Sequence, residues 1–365
     1  LFRPLGAAER PETRTFAAGN DHTVTIGFHG PVDESNIYST VGSMVDQVTG
    51  SKTPSWLVPP EFATARLDAF VRQCLPHLSR RVIERAIGAK LFYLNGRTGK
   101  KGDRLVAGDR LLFAGPVDWL AEQPLSTTEF KMPVLYEDDS ILVVDKPAGV
   151  ATHGFSGRDQ TTVANLIAAR WPELLSVGKS RWEPGLVHRL DIETSGLILI
   201  GKTQAVFDRL RLQFRRREIA KTYWALVWGD VSREGLIDFP LMHDARDRRR
   251  MRVVRDNLKV KRQRVWPALT HYRKLGASGG LSLLEIQMAT GVTHQIRVHL
   301  AARGHAIVGD LLYDTEHEER FGLRRHFLHA KALKFRHPDD NRMVEIDSEL
   351  PHELVEVLRR VGIAI

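Results

Sequence analysis

Four short stretches of this 365-residue chain combine charged, polar and turn-forming residues in ways that could do chemistry. The sharpest is Val187-His188-Arg189-Leu190-Asp191-Ile192-Glu193-Thr194-Ser195-Gly196. Asp191 stands in its turn-prone part, just ahead of the apolar run GLILIG, and a loop carboxylate at a strand edge can face a cleft while the scaffold holds it. The same residues could instead form a plain turn, with Asp191 and Ser195 serving local backbone groups. In the second stretch, Thr290 to Arg297 (TGVTHQIR), an apolar strand is followed by Thr293, expected to cap a helix that runs to Arg303 and stops at Gly304. That junction would present backbone donors and the guanidinium of Arg297. The third, Lys146-Pro147-Ala148-Gly149-Val150, reads as a strand ending in a turn. In the fourth, Lys221 to Val227 (KTYWALV), strand alternation puts Tyr223 on the face of Lys221 and opposite Trp224.

Several other chemistries are poorly supported. HRLD resembles a kinase catalytic loop, but there is no glycine-rich phosphate loop, DFG segment or Walker loop. His294 and His299 are five apart, which is not a zinc-protease spacing, and His326 and His329 have no carboxylate or cysteine set around them. These read as packed histidines, with His153 and His188 shaping the cleft. Ser195 has no evident relay partner in sequence, so serine nucleophile chemistry is not expected. The only cysteine, Cys74, excludes an intrachain disulfide framework and a cysteine-cluster metal site. No apolar run reaches the ~18 residues of a membrane span, and the first residues lack a signal-peptide core. A cytoplasmic protein that does not enter a membrane is expected.

The elements that must position these residues fall into segments. Residues 1–62 read as an accessory segment, with one alternating strand at Thr23 to Phe28. From residue 63 to 118 a helical face of Leu67, Phe70, Val71 and Cys74 is followed by a helix capped by Ser79 with Val82, Ile83 and Ile87 inside. Short strands and an Asn95-Gly96 turn complete a compact basic module. Residues 119–133 read as a linker. The remainder, 134–365, mixes strands (Ile141–Lys146, Gly196–Lys202, Leu281–Met288) with helices (Thr161–Trp171, Gln204–Arg217) without regular alternation, which predicts an α+β sheet.

Positive charge is concentrated rather than spread. The whole chain carries a formal +9, and Ala245–Arg264 alone holds ten basic residues against Asp247 and Asp256. A second cluster, Arg209, Arg211, Arg215, Arg216, Arg217 and Lys221, closes a helix and enters the next strand. Cations at a helix C-terminus explain the second only in part. Contact with the phosphates of a nucleic acid accounts for both, in preference to an anionic membrane, since the first lacks a clean apolar face. Arg248, Arg249 and Arg250, with Arg80 and Arg81 in the small module, are the expected RNA-binding basic patch.

Taken in order, the blocks DKPAGVATHG, HRLDIETSG, AKTYWALVWG, TGVTHQIRVHLAARGHAIVGD and FLHAKALKFRHP resemble the catalytic domain of the RluA-type pseudouridine synthases over essentially all of 134–365. RLDAFV, LSRRVIERAI, LFYLNG and GDRLLF, between residues 64 and 115, resemble the S-four-type RNA-binding module. The first resemblance implies a mixed, mainly antiparallel central sheet with flanking helices; the second, a small α/β domain. The first also implies that Asp191 is the aspartate acting at the ribose as the base–sugar bond breaks, after which the uracil rejoins through carbon 5. It implies that Tyr223 stacks on the uracil and helps remove its carbon-5 proton, and that Arg297 pairs with the carboxylate. Arg189 would fill the stack vacated by the extruded nucleotide, with His188, Lys146 and Thr194 as further RNA or base-flipping contacts. No metal and no organic cofactor is implied, and the protein is expected to act on RNA as a monomer. The family usually has arginine where this chain has Val292.

Physical chemistry gives these assignments independent sense. A guanidinium within ~4–6 Å can lower an aspartate pKa by about 1–3 units, which offsets the rise caused by burial. Extruding a stacked base costs a few kcal/mol, and an aromatic platform returns about 1–3 kcal/mol. The expected activity is isomerisation of uridine within RNA, with ribosomal RNA of the large subunit ahead of transfer RNA. A non-catalytic ribosome-assembly factor is the alternative of a different class. A glycosidic hydrolase would normally pair two carboxylates, and here only Asp191 lies in a convincing constellation.

Overall fold

The structure, a computed structural model, describes residues 54–127, 130–154, 159–255 and 263–364, together with the backbone of 14–18 and 22–26. Two compact units divide between Gly115 and Pro116. In the first, β1 (Arg14–Ala18) and β2 (His22–Ile26) pair antiparallel. Gly27 and Phe28 of the expected strand lie outside the described residues. There follow β3 (Ser55–Leu57), α1 (Leu67–Cys74), α2 (Arg80–Gly88), β4 (Phe92–Leu94), β5 (Arg97–Thr98) and β6 (Arg110–Phe113). The helices form as their spacing dictates: Leu67, Phe70, Val71 and Cys74 are buried on α1, and Val82, Ile83, Ala86 and Ile87 on α2. Ser79 Oγ accepts from the Val82 amide, satisfying a donor the helix start would otherwise leave open. Asn95 and Gly96 both take positive φ, the two-residue turn that suits a right-twisted hairpin. The sheet order is β3-β6-β4-β5, so Ser55–Leu57, read from sequence as accessory, is a strand with Trp56 opposite Leu111. Burial pushes the Cys74 thiol up to about 12, which keeps it inert.

The second unit begins with a strap. Residues read as the end of a linker are tied down: Asn165 Nδ2 donates to the Leu125 carbonyl at 2.6 Å, and Met132 is buried in the core. Then come β7 (Val134–Glu137), β8 (Ile141–Lys146), α3 (Val163–Arg170), β9 (Ser195–Gly201), α4 (Gln204–Arg216), β10 (Ala220–Trp228), β11 (Glu234–Ile237) and β12 (Leu241–His243). These are followed by β13 (Met251–Val253), β14 (Val265–Trp266), β15 (Thr270–Ser278), β16 (Leu281–Met288), α5 (Gln295–Ala302), β17 (Leu328–Arg336), β18 (Met343–Asp347) and α6 (His352–Val361).

The main sheet runs β11-β15-β16-β10-β17-β9-β8-β7, with β18 on the far half of β17. Every pairing in it is antiparallel except β17 with β9, as a mixed, mainly antiparallel sheet requires. That parallel joint consists of His329 opposite Ser195 and Ala330 opposite Gly196. Gly196 is needed there: its φ is +113°, and a Cβ would lie 2.3 Å from the Ala330 carbonyl oxygen. β9 is buried along its whole length, which explains the unbroken apolar run of its sequence. A small sheet, β13-β12-β14, stands apart over a cluster of Leu241, Met251, Ala268, Val298 and Tyr313. Among the described residues no helix is long and apolar enough to cross a membrane.

Candidate active site

Asp191 belongs to the loop entering β9, and that loop is fixed through its backbone. Thr152 Oγ donates to the Leu190 carbonyl and accepts from the Leu190 amide. The Ile192 carbonyl accepts from the Gly149 amide and from Lys146 Nζ, at 2.9 and 3.0 Å. The Glu193 carbonyl accepts from Arg325 Nη1. Thr194 Oγ and His326 Nε2 are 2.9 Å apart, and Ser195 Oγ and His329 Nδ1 are also 2.9 Å apart, both pairs buried. Ser195 therefore finds a histidine across the sheet, but the pair is sealed in the core at the β9–β17 joint. The histidines are packed, as the sequence suggested. Burial above all holds His326 down at about 3 and His329 at about 4, so both are neutral hydrogen-bonding partners.

Arg297 reaches this loop from the first turn of α5, with Nη1 3.2 Å from Asp191 Oδ2. Its other edge makes a two-pronged contact with Asp310, Nε–Oδ2 at 2.7 Å and Nη2–Oδ1 at 2.8 Å. The Asp310 side chain is wholly buried and also accepts from the Leu312 and Tyr313 amides. Burial is the strongest influence on the Asp310 carboxyl and would raise it, but the bond and the charge of Arg297, with smaller help from His326 and the Leu312 amide, together leave the group below its ordinary value. Burial would likewise lower Arg297, and Asp310 and Asp191 together more than offset that. A fork held at one edge presents its remaining nitrogen in a fixed direction. Asp310 lies within the GHAIVGD block, but nothing in the sequence marks it as Arg297's partner. A carboxylate thirteen residues downstream has no helical or strand register with the arginine.

The helix start differs from expectation. Thr293 is not the cap: α5 begins after His294, which has φ +56°, and Thr293 is exposed. The reason lies in Gln295, whose Oε1 accepts from Thr290 Oγ and from the Val292 amide. This closes a turn of its own and leaves His294 to make the left-handed bend. His294 Nδ1 is 2.8 Å from the Tyr313 hydroxyl, and its Nε2 is 3.9 Å from Asp191 Oδ2. Burial chiefly keeps its pKa below the ordinary histidine value.

Asp191, Arg297, His294 and Tyr223 line one cavity of ≈ 510 Å³. Tyr223 comes from β10, where a bulge against β17 falls between Thr222 and Tyr223. The alternation with Lys221 holds, because both side chains line the cavity. Burial, and then the charge of Asp191, push the Tyr223 phenol above its ordinary value. Of the other residues singled out by sequence, Arg189, His188 and Thr194 line the same cavity, Arg189 exposed and Thr194 buried. His188 Nε2 accepts from the Leu199 amide, and burial holds its pKa at about 3. His153 is not among the cavity's lining residues.

Lys146 is elsewhere. It is fully buried, and its ammonium donates to the carbonyls of Pro147, Val150 and Ile192. Burial, with Arg325 adding to it, lowers its pKa to about 7. A side chain so enclosed cannot touch RNA; it holds the loop that carries Asp191. Val292 packs its side chain against the cluster around Tyr313, so an apolar contact occupies the place expected for an arginine.

The basic patch is also less uniform than its sequence. Arg249 is committed to Asp247, with Nη2–Oδ2 at 2.8 Å, and that bond holds the Asp247 carboxyl down at about 2. Arg250 lies over the Tyr313 ring, 5.4 Å from its centroid, and Arg248 is exposed. Asp256, Lys259, Lys261 and Arg262 fall outside the described residues. In the small unit Arg80 pairs with Glu84 at 2.9 Å, and Arg81 is exposed.

Comparison with known proteins bears on the family of the chain. Residues 140–302 match the family model described as RNA pseudouridylate synthase. An uncharacterized RNA pseudouridine synthase of Chloroflexus aurantiacus is 39% identical, over 84% of this chain and 92% of that one. A protein of Nitrosomonas europaea named ribosomal large subunit pseudouridine synthase D is 31% identical, over 88% of this chain and 91% of that one. Among solved structures, human RNA pseudouridylate synthase domain containing 4 superimposes with a TM-score of 0.50 at 25% identity, over 64% of this chain and 94% of that one. Motifs, sheet and relatives converge: the chain belongs to the RluA-type family of RNA pseudouridine synthases, enzymes that isomerise uridine within RNA.

Proposed function

We propose that this enzyme converts specific uridines of large-subunit ribosomal RNA to pseudouridine, with Asp191 as the group that acts on the ribose. The observation that carries the reading is the Asp191–Arg297–Asp310 chain at a cavity that also holds Tyr223. In the proposed sequence a uridine leaves the stack and Arg189 takes its place. Asp191 acts at the sugar while the bond between C1′ and N1 breaks, and the detached uracil turns so that C5 bonds to C1′. The hydrogen on C5 then leaves and N1 is protonated, so the product is an isomer and no co-reactant is consumed. Arg297 stabilises the ionised carboxylate before the sugar takes up its charge.

Tyr223 enters this sequence as a neutral phenol, because burial and the adjacent negative charge both oppose its ionisation. A neutral ring suits stacking on uracil. Once the carboxylate's charge is spent at the ribose, the electrostatic part of that opposition falls away. The phenol can then give up its own proton, to the N1 that must be protonated, and the phenolate left behind accepts the C5 proton, which restores the phenol late in the reaction and not at its start.

The substrate choice rests on the name of the Nitrosomonas relative. The basic helix carrying Arg80 and Arg81, in a unit resembling the S-four-type module, supports RNA handling outside the cavity. The protein is further proposed to work as a monomer in the cytoplasm. Release of tritium from carbon-5-labelled uridine in RNA tests the chemistry, and Asp191→Asn should abolish it with RNA affinity nearly unchanged. An equal fall in affinity would make Asp191 structural, and no release from wild type on any cellular RNA would favour a binding role. Pseudouridine mapping of total RNA with and without the gene tests the target: sites missing from transfer RNA alone would overturn the ribosomal assignment.

A further inference from the structure

The carboxylate, the guanidinium and the phenol occupy only part of the cavity. Where α4 closes and β10 begins, its wall is made by Arg211, Phe214, Arg215, Arg217 and Lys221. Counted over the whole lining there are six lysines and arginines and a single carboxylate, Asp191, which Arg297 already engages. A uracil ring is neutral and does not require that surplus. Phosphodiester oxygens do.

Lys221 is the best placed of these cations. Its Nζ donates to the Thr290 carbonyl at 3.3 Å, a long bond that leaves two of its three hydrogens without a strong acceptor. It lies 5.8 Å from the Phe214 ring centroid, and among the described residues no carboxylate forms an ion pair with it. Gly291 keeps the approach open: a Cβ there would already stand 3.6 Å from Nζ, and a longer side chain would cover it. Burial lowers the Lys221 amine to about 8, the direction expected of a cation enclosed without its counter-charge. Arg215 and Arg217 flank it from the end of α4, with Arg217 in the left-handed conformation (φ +61°) that turns the chain into β10.

We propose that Lys221, with Arg215 and Arg217 beside it, forms a phosphate subsite that takes a backbone phosphate attached to the extruded uridine. The proposal rests on the isomerase reading for which phosphate is bound, but not for the existence of an anion site. Because Tyr223 is two residues away in the same strand, anchoring the phosphate at Lys221 would set where the uracil meets the tyrosine. A phosphate contact of this kind fixes register and carries no base specificity.

The test uses the full-length protein and two small probes, uridine and the uridine bisphosphate phosphorylated on both its 3′ and 5′ oxygens. The wild type should prefer the bisphosphate by about tenfold to a hundredfold, the range expected for charge-assisted hydrogen bonds at a partly buried cation. Lys221→Met, which keeps the length of the side chain, should remove most of that preference, and Lys221→Arg should retain it. Thermal midpoints close to wild type would show that both variants fold. On RNA, Lys221→Met should raise KM more than it lowers kcat. An equal bisphosphate preference in wild type and Lys221→Met would overturn the subsite, as would no preference in wild type. Absence of tritium release from wild type would overturn the isomerase reading alone, since the small-probe comparison does not depend on turnover.

Discussion

The Asp191–Arg297 contact depends on a group that does not face the cavity. Asp310 fixes the guanidinium through two bonds, so Asp310→Asn should leave a buried cation with poorer compensation and cost about 3–5 kcal/mol, the effect typical when one partner of a buried pair is removed. The urea midpoint should fall accordingly, and tritium release should show kcat reduced with KM nearly kept. A stable variant with full kcat would show that Arg297 is oriented by something else. The buried histidines give a second prediction. His326 and His329 titrate near 3 and 4 in the folded protein and near 6.5 unfolded, so the unfolded chain binds more protons between those limits. Their contribution is fully present above pH ~6.5 and fades as pH falls, at about 2–3 kcal/mol per pH unit near pH 5 for the two together. Denaturation by urea at pH 7 and pH 5 checks this, and equal stability at the two values would refute it. His294 and Lys146 show what residue type alone conceals. In sequence the first reads as a packed histidine at a spacing wrong for zinc, yet it stands 3.9 Å from the carboxylate; the second reads as an RNA contact, yet it is sealed under the loop.

Among the elements, strands and amphipathic helices are legible in the sequence because their apolar periods are local. Leu281–Met288 matches to the residue, and α4 ends one residue before the expected Arg217, which adopts the left-handed cap instead. The start of α5 is not legible, because Gln295 folds back on Thr290 and Val292 and takes over the role expected of Thr293. The constellation around Asp191 is legible through its ordered motifs; the backbone clamps from Thr152, Lys146 and Arg325 are not, since they join residues far apart in sequence. The β9–β17 joint belongs with these. Gly196→Ala should push a methyl into the Ala330 backbone and impose a φ that alanine resists, costing about 3 kcal/mol or more from strain and steric overlap together. Activity should fall further than the unfolded fraction explains, because the Asp191 loop enters the sheet at this residue. Activity per folded molecule equal to wild type would separate the joint from the site.

For the molecule as a whole, the uneven commitment of the arginines should show in its salt response. Neutralising Arg248 and Arg250 should weaken RNA binding and flatten the plot of log affinity against log salt by about 0.7 for each single-strand phosphate that is no longer neutralised. Neutralising Arg249, already held by Asp247, should change the slope least. Equal effects at all three would mean that RNA draws Arg249 away from its partner. The sheet carries a consequence of another kind. Asp191 enters from the side of β7, β8 and β9, whereas Tyr223 and Arg297 come from the side of β10, β15 and β16, and among the described residues the backbone ladder that joins β17 to β9 has two residue pairs. Neither half owns a working centre. Turnover thus certifies that distant parts of the polypeptide have met in correct alignment, and a chain stalled with one flank assembled would hold Asp191 without Tyr223 and Arg297 beside it.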